Sequence, residues 1–329
     1  MINLLSAQFS KLFKNKLFYA AVIIFTAIGF ASSVLFIKYI PDLAHMAEEA
    51  IAEGDTEHLW NTYETSIMFD ITSRMDFHIL VFAPAVFISM FIGREFDNNT
   101  IRNKVIIGSS RPLIYLSNLI VCFVSQIIMQ LAYCLALFLP SFIIYLKYRS
   151  VINMKFFEIS FKDFLITQII GIGIMLVCSS LYLLITMTAG SKTHAVISSI
   201  IVIFAMFLVS NKINTMLYVP DEEDYNYYIP TYTETTDTPD ESQIPYYDPY
   251  FGYGSYTDYV ESYRGKNLKA GKRFLYETID DTLPTSQVLY MMNSDTTPPR
   301  TGKFIVCDLL LSAALSAVGI VIFNRKELR

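Results

Sequence analysis

The run LSNLIVCFVSQIIMQLAYCLALFLPSFIIYL, from Leu116 to Leu146, contains no charged residue. A bilayer core about 30 Å thick is crossed by about 20 residues of helix, so this run is long enough to span, and to tilt or protrude as well. Its apolar residues are continuous, without the in–out alternation of a barrel strand. Five further blocks read the same way: Leu17–Ile37, Phe77–Ile92, Phe164–Met187, Ala195–Val209 and Phe304–Phe323. The Phe77 and Ala195 blocks are short and are expected to extend into flanking polar sequence. Leu17–Ile37 is longer than a signal-peptide core and no small-residue cleavage motif follows it cleanly, so it reads as a retained span. The expected fold is an all-α membrane protein of six transmembrane helices.

Composition agrees. Charged residues make up 17% of the 329, against about a quarter in soluble domains. The net charge of −5 comes with no basic face, so no nucleic-acid partner is implied. Cys122, Cys134, Cys178 and Cys307 all lie in apolar blocks. No disulfide framework is therefore expected in the loops, and a bacterial plasma membrane fits that usage.

Basic residues set the expected orientation. With the start inside, cytoplasmic segments hold Lys11, Lys14, Lys16, Arg94, Arg102, Lys104, Arg111, Lys192, Arg325, Lys326 and Arg329. The short outside loops hold fewer: Lys38, Arg74, Lys147, Arg149, Lys155 and Lys162. The loop after the third span dissents, but the balance places both termini in the cytoplasm.

Residues 1–16 come before the first span. Leu5, Phe9, Leu12 and Phe13 recur there at helical spacing beside Lys11, Lys14 and Lys16, which reads as an amphipathic helix in the inner interface; a frayed polar tail is the other reading. Residues 17–210 carry spans one to five, with an outside loop at 38–76 that is punctuated for two short helices. Residues 211–303 are a different material, with fourteen tyrosines and acidic runs such as Asp221–Asp224. They read as a loop-rich extracellular domain with short strands near Ile229–Thr235 and Gln287–Met291, or as partly disordered. Residues 304–329 form the sixth span and a cytoplasmic tail.

The link Gly93–Leu116 gathers Arg94, Glu95, Asp97, Arg102, Lys104 and Arg111. Asn99 can cap a short helix with Ile101, Val105 and Ile106 on one face and Arg102 and Asn103 on another. Gly108 suits a left-handed stop, and Ser110 and Pro112 restart a helix. A short amphipathic helix between two spans, near residues 95–110, can pass force from a soluble partner to both. The other reading is a charged loop obeying the positive-inside bias.

These residues carry a resemblance. Arg94-Glu95-Phe96, then Thr100-Ile101-Arg102, then Ser110-Arg111-Pro112 resembles the cytoplasmic loop of ATP-binding cassette (ABC) exporter permeases of the type-2 export family, with the type V fold. In that family an acidic-aromatic pair ends the second span, a Gly-Thr and basic pattern builds the coupling helix, and a Ser-Arg pair leads into the third span. Glu95, Phe96, Thr100, Arg102, Ser110 and Arg111 match. Asn99 stands where glycine is usual, and Asn118 sits near where lysine is common. The overall plan of N-terminal amphipathic helix, six spans and a polar insertion before the last also matches, although the insertion is longer than the family pattern.

The resemblance implies an ATPase-coupling role for Glu95, Phe96, Thr100, Arg102 and Arg111. It also implies a second membrane subunit, identical or related, and separate ATPase subunits that bind ATP and Mg. The implied cargo is amphipathic or lipid-linked: a peptide antibiotic, a lipid or a drug. The chain has no phosphate-cradling Gly-x-x-x-x-Gly-Lys-Ser/Thr loop; Gly302-Lys303 comes nearest and lacks the first glycine and the hydroxyl. No catalytic residue, cofactor or metal is assigned to the chain itself.

Within the spans, Asn118, Cys122, Gln126, Gln130 and Cys134 repeat every four residues, and Gln168 on the fourth span is placed to join them. Such a stripe faces other helices or a watery path, and interhelical packing and a substrate-facing role both fit. His78 sits at the outer entrance of the second span. Asp308, about 6 Å into the last span, is placed to reach the outer interface. Pro84 frees the Leu80 carbonyl, and Ser312, Ala313, Ser316, Ala317 and Gly319 form a small-residue face.

Two other function classes compete. An intramembrane enzyme lacks its motifs, with no His-Glu-x-x-His, no Gly-x-Ser-x-Gly and no paired deep acids. A membrane sensor or assembly factor would use the tyrosine-rich extracellular domain to bind a ligand.

Overall fold

The computed structural model describes residues 2–37, 77–148, 160–218, 264–266, 268–293 and 300–326. The helices expected within 38–76 and the strand expected near Ile229–Thr235 lie outside them. Among the described residues ten helices run in order: α1 Ile2–Phe13, α2 Lys16–Ile37, α3 Phe77–Asp97, α4 Thr100–Ile106, α5 Arg111–Tyr148, α6 Ser160–Ala189, α7 Lys192–Leu217, α8 Ala270–Thr282, α9 Pro284–Asn293 and α10 Thr301–Arg325. No strand occurs among the described residues. The strand expected at Gln287–Met291 is instead the middle of α9. Pro284 occupies the first helical position, where its missing N–H costs nothing.

Among the described residues, five helices are long and apolar enough to cross a membrane: α2, α5, α6, α7 and α10. The expected second span, α3, is a helix of 21 residues but is not one of these five. Its apolar block ends at Ile92 and the helix runs on through Arg94, Glu95 and Asp97. α5 has 38 residues, about 57 Å at helical rise, and it continues through Pro140.

α6 is the centre of the bundle. Its middle and C-terminal half are buried, while Leu165, Ile169 and Ile172 near its start are exposed. It packs against α3, α5, α7, α9 and α10, while α2 lies outside against α5. Ile170, Ile174, Cys178, Tyr182 and Leu183 of α6 are fully buried. The tightest approach is between α10 and α5, where Gly319 lies against the Tyr115 hydroxyl and ring, and a Cβ there would overlap them. The small-residue face of α10 therefore divides. Ser312 and Gly319 point inward and Ser316 is half-buried, while Ala313 and Ala317 are exposed.

α1 lies against α5 with Leu12 buried and Leu5 and Phe9 packed on the core, while Phe13, expected on the same face, is exposed and the polar Gln8 is buried. α9 is buried on nearly every side. Thr285, Ser286, Gln287, Val288 and Met291 are enclosed among α3, α6, α7 and α8. Thr285 and Ser286 are both bonded to Ser210 of α7.

Candidate functional site: a clamped helix between α3 and α5

Glu95 ends α3 with no exposed surface. Its carboxylate receives Lys11 Nζ of α1 at 2.6 Å and Lys104 Nζ of α4 at 2.9 and 3.1 Å. Lys11 also sits 5.2 Å over the Phe91 ring. Burial alone would raise the carboxyl, but Lys104 and then Lys11 outweigh it and hold it below its ordinary value. Lys104 in turn is lowered, because burial outweighs the pull of Glu95. One acid thus ties two short helices to the end of a long one. Glu95 faces its own chain, so any coupling role it has works by holding α4 in place.

α4 begins at Asn99, which adopts the left-handed conformation (φ 54°) and makes no side-chain cap bond. This differs from the expected side-chain cap. Asparagine tolerates this region better than most residues. Gly108 closes the segment with φ 99°, as expected. The inward face of α4 is Ile101, which is buried, with Val105 packed on the core. Ile106, expected beside them, points outward at 71% exposure, and Ile107 reaches 83%. Together with exposed Arg102 and Asn103, they make a small apolar and basic tip. Thr100 and Phe96 are half-buried at its base.

The same end of the bundle is stitched by two more cations. Arg111 Nη1 donates to the carbonyls of Phe323, Asn324 and Lys326 at 3.1, 2.8 and 2.6 Å, closing the C-terminus of α10. Lys326 donates to the Met187 and Thr188 carbonyls at the end of α6 and lies 5.0 Å over the Phe96 ring. Lys192 N–H donates to Asp97 at 3.4 Å, which sets a carboxylate at the start of α7, where the helix dipole favours it. The segment that carries the motif is therefore connected to α1, α6, α7 and α10.

The polar stripe of α5 faces inward. Asn118 accepts from Gln8 of α1, and Gln130 donates to Gln168 of α6 at 3.3 Å and to Cys134 at 3.5 Å. Gln168 thus joins the stripe, as expected. Gln126 is buried nearby and its Nε2 has no partner.

At the opposite end lies a network that the sequence analysis did not single out. Asp280 and Asp281, at the end of α8, are buried. Arg264 reaches them at 3.1 and 2.7 Å, Arg300 pairs with both, and Lys303 pairs with Asp281. Tyr218 donates to Asp280 at 2.9 Å, and Arg300 stacks on Tyr290 with 4.4 Å to the ring centroid. Asp308, expected at the interface, is fully buried and accepts from Gln287 of α9 at 2.9 Å. The signal that could have found this site was the spacing of Asp281, Gln287, Arg300 and Asp308 around two helix starts, but nothing local says that they meet. Among the described residues no three His, Cys, Asp or Glu side chains cluster as metal ligands.

No protein-family model matches the chain, and no curated protein matches it.

Proposed function

We propose that this chain is the membrane subunit of an ABC exporter of the type-2 export family. It would have six spans with α3 as the second, both termini and α4 in the cytoplasm, and the 211–303 insertion outside. ATP and Mg would be held by separate ATPase subunits, and a second membrane subunit would complete the path. The cargo class that fits is an amphipathic or lipid-linked molecule.

The observation that carries this reading is α4. A helix of seven residues is held between two long helices by a buried ion pair and presents Arg102, Ile106 and Ile107 to solvent. Displacing α4 pulls on Lys104, Glu95 and hence α1 and α3. Exposed isoleucines on a short charged loop are costly without a cover, and a protein partner supplies one.

The test is to purify the tagged chain from its native membrane and ask whether an ATPase subunit comes with it. Ile106→Asp and Arg102→Ala should reduce that association with little loss of fold. Recovery of the chain with no nucleotide-binding partner in mild detergent, with expression of one confirmed, would remove the support for an exporter.

A further inference from the structure

Among the described residues, Asp308 is the buried carboxylate that no cation touches. Asp308 sits in the second turn of α10 with no exposed surface. Its Oδ1 accepts from Gln287 Nε2 at 2.9 Å, and its Oδ2 has no hydrogen-bond partner. Gln287 Nε2 also donates to the Asp281 carbonyl at 2.9 Å. With two acceptors at the nitrogen, the orientation of the amide is settled, and Gln287 Oε1 is left without a partner. The pair therefore has two buried acceptor oxygens unfilled and is short of a donor.

Among the described residues the surroundings supply no cation to Asp308. On α6, the backbone at Gly173 lies against Asp308 Oδ2, where a Cβ would strike it, and Cys178 is the titratable group facing Asp308 from that helix. On α10 the neighbours are Cys307 and Lys303, and Lys303 is paired with Asp281. From α8 comes Asp281 itself, acidic and already held by Arg264 and Arg300. α9 contributes Gln287. An ionised carboxylate buried with one neutral donor and no cation is expensive in a protein interior and more so in a membrane. A single proton removes the charge and turns one unfilled acceptor into a donor.

We propose that the Asp308–Gln287 pair is a proton-binding site, with Asp308 carried as a neutral carboxylic acid whose proton sits on Oδ2. The proton joins three elements, because Asp308 belongs to α10, Gln287 to α9 and the Oδ2 neighbour to α6. Loss of the proton places a bare charge at that junction and loosens α10 and α9 from α6. Release would therefore link acidity at this end of the bundle to the packing of the last span. The inference stands on this junction alone and needs no ATPase partner.

The test is infrared difference spectroscopy of the purified protein in lipid, wild type minus Asp308→Asn. At neutral pH the difference should contain the C=O stretch of a protonated carboxyl, sensitive to deuterium exchange, and no ionised carboxylate bands. Asp308→Asn replaces the acid by an amide that also donates and accepts, so it should fold and lose the alkaline part of the wild-type pH dependence of melting. Gln287→Met keeps the acid but removes its hydrogen bond, and should shift the same band to higher frequency. Loss of ionised carboxylate bands in Asp308→Asn, or an acid band unmoved in Gln287→Met, would overturn the proposal.

Discussion

The two ends of the bundle each bury acids among basic residues, yet they are built differently. At the α4 end one carboxylate, Glu95, gathers two lysines, both carried on short helices that lie outside the main bundle. At the α8 end two carboxylates gather Arg264, Arg300 and Lys303, with Tyr218 filling in. Lysine is a flexible point charge, whereas arginine presents a rigid fork that suits paired carboxylates. The first arrangement fastens small parts that can shift as a unit. The second is a cross-linked knot between α8 and the start of α10. A buried ion pair is not in itself a gain in stability, so what the two clusters supply is specificity of docking: α1 and α4 at one end, α8 and α10 at the other.

The comparison breaks first at Asp281. Asp281→Asn leaves Arg264 and Arg300 sharing Asp280 and Lys303 without its carboxylate, and removing one partner of a buried pair costs about 3–5 kcal/mol. Thermal unfolding in lipid or mild detergent should show the whole bundle melting earlier.

Glu95→Gln should cost less, about 3 kcal/mol, because Lys11 is already 32% exposed and can return to water. Its damage should be local. Hydrogen exchange should rise at α1 and α4 and stay low in α6. Acidity gives the sign. The Glu95 carboxyl lies below its free value of 4.5 in the fold, so its contribution is complete above that value and is lost as the pH falls through the folded value. Acid should release α1 and α4 in the wild type, and Glu95→Gln should show the same looseness at every pH. Uniform melting in both variants would erase the distinction between clamp and knot.

Gly319→Ala tests the packing between the two ends. The added methyl meets the Tyr115 ring and hydroxyl, and overpacking of this kind costs about 1–3 kcal/mol. A melting temperature unchanged from wild type would show that α5 and α10 leave room for a methyl group at this crossing.

Arg102→Ala should have the smallest effect on the fold, within about 0.5 kcal/mol, as expected at an exposed site. Its effect belongs to the partner. If it destabilised the isolated chain as much as Glu95→Gln, the tip of α4 would be part of the clamp and not a docking surface.

Much of this fold was legible because its largest features are local. The α5 run is continuous and uncharged, so its helix followed from bilayer thickness and its boundaries moved only from Leu116–Leu146 to Arg111–Tyr148. Gly108 and the restart at Arg111 were equally local, being matters of backbone conformation. The errors came where a face had to be assigned. Ile106 was grouped with Ile101 and Val105 by spacing, but a helix of seven residues has too few turns to define its own inner face, and the contact with α3 and α5 chose it. Gln287–Met291 looked strand-like in a tyrosine-rich stretch, yet α9 is enclosed by four helices, and helix satisfies its backbone without neighbours.

The sequence by itself determined that this is a helical membrane protein, where its long helices lie, and that a short charged helix sits between α3 and α5. Those properties depend on runs of neighbouring residues and on a bilayer whose thickness is the same for every chain. Only the tertiary structure decided that Glu95 faces inward to two lysines, that Asp280 and Asp281 close on Arg264 and Arg300, and that Asp308 is shut away from water beside Gln287. Lys11 and Glu95 are far apart in the chain, and so are Tyr218 and Arg300. Whether such groups meet depends on how the helices pack, and packing is a property of the whole bundle.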